Sequence, residues 1–176
     1  MKRVGIPCAL VILSIVGCVS SPVALKGSAP WTGACYLSID EDTRRIAGGD
    51  ITDCGLVAPD ATTDVRQAVE ECARRAVDRA GGFRFGYASF GDDSAYCHVA
   101  IRSTDGQIWD FFYDNDVTGQ LGKNGNHSTV WLSRCRRVEF RPSTLGRGSF
   151  FGTEECSRDE EAEQTYIWAH HVSIPR

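Results

Sequence analysis

The chain has 176 residues, of which 24% are charged, and a formal net charge of −4. This length is sufficient for one domain with a hydrophobic core. The mildly acidic balance argues against a nucleic-acid partner and against electrostatic attraction to anionic lipid, because both need clustered positive charge. The sequence contains no GxSxG nucleophile elbow, Walker phosphate loop or dinucleotide-binding glycine motif, so the common enzyme signatures are missing.

The first 18 residues have the layout of an export signal. Lys2 and Arg3 precede an apolar run over residues 4–16, which is too short to cross about 30 Å of hydrocarbon stably and is typical of a signal peptide. The segment ends in Ile15-Val16-Gly17-Cys18, which resembles the lipobox of bacterial lipoproteins, where the cysteine receives lipid and becomes the mature N-terminus. The alternative is an ordinary signal peptide in which Cys18 occurs by chance.

The lipobox resemblance implies a signal peptide over residues 1–17, a lipidated tether over 18–30 and a single domain over 31–176. The tether contains two prolines and three serines and has few large apolar side chains. Several acyl chains on Cys18, palmitate among them, would hold the protein firmly in a membrane. Val19 stands where an aspartate would retain a lipoprotein at the inner membrane, so we expect the outer membrane, on its periplasmic or surface face, in a diderm organism.

Six cysteines remain outside the signal and the lipobox: Cys35, Cys54, Cys72, Cys97, Cys135 and Cys156. An even number in an exported domain predicts three structural disulfides, with two bridges and a free pair as the alternative. Cys54 can fold back onto Cys72, and Cys35 with Cys156 would join the two ends of the domain. Cys97 with Cys135 is then the remaining predicted pair.

The segment before residue 62 shows little regular pattern. Residues 35–39 predict a short strand, residues 40–42 form an acidic patch, and a loop is expected after Gly55, up to Asp60. The clearest element follows, because apolar residues recur with helical spacing at positions 65, 68, 69, 72, 73, 76, 77 and 80. This predicts an amphipathic helix over 64–80, capped by Thr62 or Thr63 and ended by Gly81-Gly82. The alanine-rich stripe indicates that a sheet packs closely on it.

From residue 83 the apolar period changes to two. Strands are predicted at 83–88, 97–102, 107–113 and 129–135, with 138–140 as a continuation, and 104–106 reads as a hairpin turn. The strand 107–113 carries aromatic residues on both faces, so both faces should be partly covered. Residues 142–164 look irregular, and 166–168 predict one last strand. The fold class is therefore α+β, with one amphipathic helix on an antiparallel β-meander, stapled by disulfides.

Two segments, Asp53-Cys54-Gly55-Leu56-Val57 and His98-Val99-Ala100-Ile101, are similar to the signature segments of NlpC/P60 cell-wall peptidases. The resemblance implies that the Cys54 thiolate attacks a peptide bond and that His98 acts as its base. The cysteine count favours a different interpretation, because a reduced Cys54 would leave an odd number of cysteines to pair. A disulfide-bonded Cys54 and a His98 on a strand face are therefore expected, with no enzymatic activity, and the cysteine peptidase is the alternative.

No metal or cofactor is expected. The run 114–119 resembles the first half of a calcium loop, but Gly125 stands where a bidentate glutamate is needed, so a solvated turn is the simpler interpretation. His127, His170 and His171 have no spaced partner ligands.

The order of cysteines, turns and strands resembles small exported bacterial lipoproteins of unknown activity. The expected function is a lipid-anchored cell-envelope binding or structural module of unknown ligand. Its expected partners are the membrane, through Cys18, and an envelope protein or peptidoglycan, with contact residues among the aromatics of 109–113 or 166–168.

Overall fold

A computed structural model describes residue 35 and residues 38–90, 94–115, 129–141 and 150–168. The predicted signal, lipobox and tether lie outside these residues. The described part has the α+β fold that the sequence predicts. Its elements are α1 (Ile39–Ala47), β1 (Ile51–Val57), α2 (Thr63–Val77), β2 (Gly82–Phe90), β3 (Ala95–Arg102), β4 (Ile108–Asp114), β5 (Thr129–Cys135), β6 (Arg137–Phe140), β7 (Phe151–Glu154), β8 (Ser157–Arg158) and α3 (Glu160–Glu163), followed by a π-helical turn, Gln164–Trp168.

One six-stranded sheet, in the order β1-β2-β3-β4-β5-β8, forms the centre of the domain. Strands β2 to β5 are the predicted antiparallel meander. Strand β1 is parallel to β2, and α2 is the crossover between them. The loop predicted after Gly55 is therefore wrong for residues 56 and 57, which are buried and belong to β1, whereas residues 58–60 lie outside the strand. The sequence pattern did not predict this strand, because the pairing register shifts between Asp53 and Gly55 and breaks the period of two.

Helix α2 closely matches its prediction. It begins after Thr62, whose hydroxyl accepts a hydrogen bond from the backbone N–H of Val65, and it ends at Val77. Val69, Ala73 and Ala76 are buried against β1 and β2, so a sheet does lie across the alanine-rich stripe. Because the helix stops before position 80, the last apolar residue of the predicted stripe is exposed.

Of the short strand predicted at 35–39, the described residues 35, 38 and 39 are not in a strand, and Ile39 is the first residue of helix α1. Acidic residues fill its first turn and arginines its last turn, an arrangement that favours the helix dipole. Ile39 and Ile46 are buried against the sheet, on the face opposite α2. The helix also covers Arg84 of β2, which is 0% exposed and donates hydrogen bonds to the Asp40 carbonyl and the Thr43 hydroxyl, both at 2.8 Å. The carboxylates of Asp40 and Asp53 also pair with Arg84, so one residue of the acidic patch contacts a buried cation.

The C-terminal part is more regular than the sequence predicts. Strands β6 and β7 pair with each other in a separate two-stranded sheet, so 138–140 does not continue β5. β8 and α3 follow within the segment expected to be irregular, and 166–168 lies in a π-helical turn, not in a strand. The last turns are helical because Asp159 caps α3, accepting a hydrogen bond from the backbone N–H of Ala162 at 2.9 Å.

The two faces of the sheet carry two separate hydrophobic cores. On the α1 face, side chains from β3, β4 and β5 pack with α1, α3 and the π-helical turn. On the α2 face, Phe83, Phe85 and Tyr87 of β2 pack with α2 and with the β6–β7 hairpin, through Phe140 and Phe151.

All six cysteines of the domain are in disulfides, Cys35–Cys97, Cys54–Cys72 and Cys135–Cys156. The predicted Cys54–Cys72 bridge is confirmed. The predicted pairs Cys35–Cys156 and Cys97–Cys135 are wrong. Cys97 contributes to the core on the α1 face, whereas the strand register puts Cys135 on the α2 face, so the sheet itself separates these two side chains.

Among the helices of the described residues, none is long and apolar enough to cross a membrane.

Candidate functional site

Most of the isolated candidate residues of the sequence fall outside the described part of the chain. These are Cys18, residues 116–119 of the calcium-like run, Gly125 and the histidines His127, His170 and His171. Asn115, which is described, exchanges hydrogen bonds with the backbone of Ala95, its side-chain oxygen accepting at 2.7 Å. Asn115 thus closes the end of the β3–β4 pair.

The structure does not bring Cys54 and His98 together as a nucleophile and its base. Cys54 is fully buried on β1 and bonded to Cys72, so the disulfide-bonded form has no thiol there. His98 lies on β3, with β2 between the two strands, and its ring nitrogens contact Tyr87 and Asp110. The arrangement that the peptidase resemblance implies is therefore not present.

The expected contact aromatics on β4 are mostly core residues. Trp109 is 6% exposed, Phe111 is 0% and Tyr113 is 9%, because all three point to the α1 face. Phe112, between them, points to the other face and is half-buried. Aromatic residues do lie on both faces of this strand, as predicted, but only its α2 face keeps an accessible ring.

Six half-buried side chains of β3, β4 and β5 share the α2 face, and we call them the polar–aromatic patch. They are Tyr96, His98, Asp110, Phe112, Trp131 and Ser133. The strand register aligns them: His98 lies opposite Phe112, Phe112 opposite Trp131, and Asp110 opposite Ser133.

Three of these residues form a row of contacting rings across the three strands, with Tyr96 stacked on Phe112 and Trp131 tilted against Phe112. The Tyr96 and Phe112 ring centroids are 5.8 Å apart, and those of Phe112 and Trp131 are 5.5 Å apart. Within the described residues, Phe112 and Trp131 belong to neither hydrophobic core. Large rings that stay half-buried outside the core are typical of contact surfaces.

A polar chain runs beside the rings. The Tyr87 hydroxyl lies 3.0 Å from Nδ1 of His98, and Nε2 of His98 contacts a carboxylate oxygen of Asp110. Because an ionised carboxylate only accepts hydrogen bonds, Nε2 of the ring donates to Asp110, and in a neutral ring Nδ1 then accepts from Tyr87. The chain fixes the orientation of His98 at the border of the patch.

The Cys135–Cys156 disulfide adjoins the polar end of the patch. The two sulfur atoms and a carboxylate oxygen of Asp110 all lie within 4.8 Å of one another. In the oxidised form this cluster does not suit a metal ion, because the thiolate, not the disulfide sulfur, is the metal ligand.

Comparison with protein-family models, with curated proteins and with solved structures finds no match for this chain.

The sequence analysis did not predict that Tyr87, Asp110 and Trp131 belong to one site. The available signal was the period of two in the strands predicted at 97–102, 107–113 and 129–135, which places 98, 110 and 112, and 131 and 133 each on one face of their strand; position 96 precedes the first of these strands. The register that aligns these faces was not available from the sequence.

Proposed function

We propose that this protein is a lipid-anchored binding module of the cell envelope and that the polar–aromatic patch is its contact surface. The observation that carries the proposal is that Phe112 and Trp131 are half-buried, in ring contact with each other and outside both cores of the described residues. Rings of this kind, beside a few oriented polar groups, supply most of the free energy in many binding sites.

The surroundings of the patch favour recognition. Its residues stand on three paired strands, so the backbone holds them in fixed positions before any partner arrives. His98 and Asp110 are oriented by hydrogen bonds, and Ser133 adds a hydroxyl that can donate or accept. An envelope protein or peptidoglycan, each with apolar and hydrogen-bonding groups, is the partner that we propose.

The anchor in this proposal is the lipid on Cys18. The domain has no positive surplus to hold it on anionic lipid, since the chain is acidic, so acyl chains would supply membrane affinity. Replacing Cys18 with alanine should leave the precursor unprocessed or release the protein from the membrane fraction. Fractionation and intact-mass measurement test this, and recovery of the variant in the same fraction at the mass of the processed wild type would contradict the anchor.

The contact surface is tested with the processed full chain in detergent. Sedimentation with purified peptidoglycan sacculi measures one partner, and photo-crosslinking in intact cells from position 133, which leaves 112 and 131 free to be varied, measures an envelope protein. The double variant Phe112→Ala, Trp131→Ala should reduce binding about tenfold or more. Phe90→Ala is the control, because Phe90 is 70% exposed and lies outside the patch. Equal binding by the wild type and the double variant would contradict the proposed surface, even if the anchor were established.

A further inference from the structure

The three disulfides differ in their access to solvent. In Cys54–Cys72 and Cys35–Cys97, one cysteine is fully buried and the other is half-buried. In Cys135–Cys156, Cys156 is exposed and Cys135 is 7% exposed. Thiol–disulfide exchange requires a thiolate to reach one sulfur of the bridge, so accessibility makes Cys135–Cys156 the reactive bridge.

We propose that Cys135–Cys156 is a thiol–disulfide exchange site whose reaction partner is a dithiol, and that Asp110 tunes the reactivity of Cys135. This inference goes beyond the proposed binding function and does not depend on it.

The reaction balances without any further oxidant or reductant. A thiolate of the dithiol attacks Sγ of Cys156, the Cys135–Cys156 bond breaks, and Cys135 leaves as a thiolate that takes up a proton. The second thiol of the dithiol then loses its proton and attacks its own partner sulfur in the mixed disulfide, which releases Cys156. The dithiol becomes a disulfide, and two electrons and two protons pass to the protein.

Asp110 is placed to control the departure of Cys135. Its carboxylate lies within 4.8 Å of both sulfurs, and His98 holds it there through Nε2. A thiolate that forms beside a negative carboxylate is disfavoured, so Asp110 makes Cys135 a poorer leaving group and keeps the reduced thiol protonated. Asp110 is a positioning residue here, because it acts through Cys135.

Reduction of this bridge need not unfold the domain. The segment that it closes contains the β6–β7 hairpin, which is also held to the sheet by ring contacts of Phe140 and Phe151 with Phe85, at 6.0 and 5.0 Å. The other two bridges join separate parts of the fold. A locally reduced state, with the sheet and these two bridges intact, is therefore the expected product.

The first experiment treats the processed full chain with dithiothreitol under native conditions, traps thiols with iodoacetamide at successive times and maps the alkylated peptides. Cys135 and Cys156 should become alkylated at least about tenfold sooner than the other four cysteines, while the far-UV circular dichroism stays unchanged. Earlier or simultaneous alkylation of Cys54 and Cys72, or of Cys35 and Cys97, would overturn the proposal.

The second experiment compares Asp110→Asn with Asp60→Asn, which changes an exposed carboxylate of the loop before α2. Asp110→Asn should accelerate reduction about tenfold and lower the midpoint of the pH profile for Cys135 alkylation in the reduced protein by about one unit, whereas Asp60→Asn should change neither. A purely structural role of Asp110 would leave the alkylation midpoint unchanged and would overturn the tuning role. Reduction at equal rates in the wild type and in Asp110→Asn would also overturn it.

Discussion

Strands β3, β4 and β5 of the six-stranded sheet have two faces that differ in how completely they are covered. On the α1 face, the side chains from β3, β4 and β5 in the core are all buried under α1, α3 and the π-helical turn; these are Cys97, Val99, Ile101, Trp109, Phe111, Tyr113, Val130 and Leu132. On the α2 face, the six residues of the polar–aromatic patch remain half-buried, because α2 packs mainly on β1 and β2. Within these three strands the α1 face is closed by a core, whereas the α2 face keeps rings and polar groups that are only partly covered.

The sharpest test of this difference is a pair of neighbours on β4. Phe111→Ala should destabilise the domain by about 3–5 kcal/mol, because it leaves a cavity in a fully buried core, whereas Phe112→Ala should cost about half as much or less. Urea unfolding monitored by circular dichroism measures both. Equal losses for the two variants would show that the α2 face is as tightly covered as the α1 face.

The next largest effect concerns the bridge that fastens α2 to β1. Replacing Cys54 and Cys72 together with alanine removes a link that closes 18 residues, and the chain-entropy model gives a loss of about 3 kcal/mol. The matched control is the double alanine variant of Cys135 and Cys156, whose separation of 21 residues is similar. The first variant should lose more stability in urea unfolding, since Cys54 is also a core residue; a larger loss for the control would contradict this ordering.

A smaller effect tests how closely α2 approaches the sheet. Ala76→Phe should lower the free energy of unfolding by about 1–3 kcal/mol through overpacking, because Ala76 is buried where α2 packs against the sheet. Ala80→Phe, one turn later in the predicted stripe, should have almost no effect, since Ala80 is exposed after the helix end. Thermal or urea unfolding midpoints distinguish the two, and an unchanged midpoint for Ala76→Phe would mean that the contact is looser than the structure indicates.

The smallest effect concerns the cover of the α1 face and depends on pH. The backbone N–H of Ala162 and then the Arg134 guanidinium lower the pKa of Asp159 below its ordinary value of 3.8. A pKa that is lower in the folded state stabilises the fold above pH 3.8, and this contribution disappears as the pH falls through the folded value. Asp159→Asn should therefore lose under about 1 kcal/mol at neutral pH, and the difference from the wild type should shrink in acid. Urea unfolding of both proteins at several pH values measures this difference in stability. A difference that stays constant down to pH 2 would contradict an ionic origin.

Elements governed by local spacing were predictable. The helix that carries Ala76, the four strands of the meander and the Cys54–Cys72 bridge all follow from periodicity or short chain separation. The sequence patterns of helix α1 and strand β1 did not predict these two elements, each for a different reason. Helix α1 has only nine residues and three apolar positions, Ile39, Ile46 and Ala47, so its apolar stripe is short; the register shift in β1 disturbs the alternation of that strand. The π-helical turn at 164–168 was read as a strand because three residues, two of them aromatic, cannot distinguish the two states.

The candidate site was predictable only in parts. Each patch residue could be assigned to a strand face from its own segment, but no local pattern says which side of the sheet α2, the hairpin or α1 will cover. His98 was singled out for a resemblance to peptidases, and its contacts in the structure are Tyr87 and Asp110.

By itself the sequence determined the α+β class, the helix α2, the meander and the presence of disulfides, because these depend on side-chain periods of 3.6 and two and on cysteine number. The tertiary structure alone decided that Arg84 lies buried beneath α1, while two of the five rings on β4 and β5, Phe112 and Trp131, stay half-buried. It also decided that Cys97 bonds to Cys35 and Cys135 to Cys156. These outcomes depend on strand register and on which element covers which face, and both are set by contacts between residues far apart in the chain.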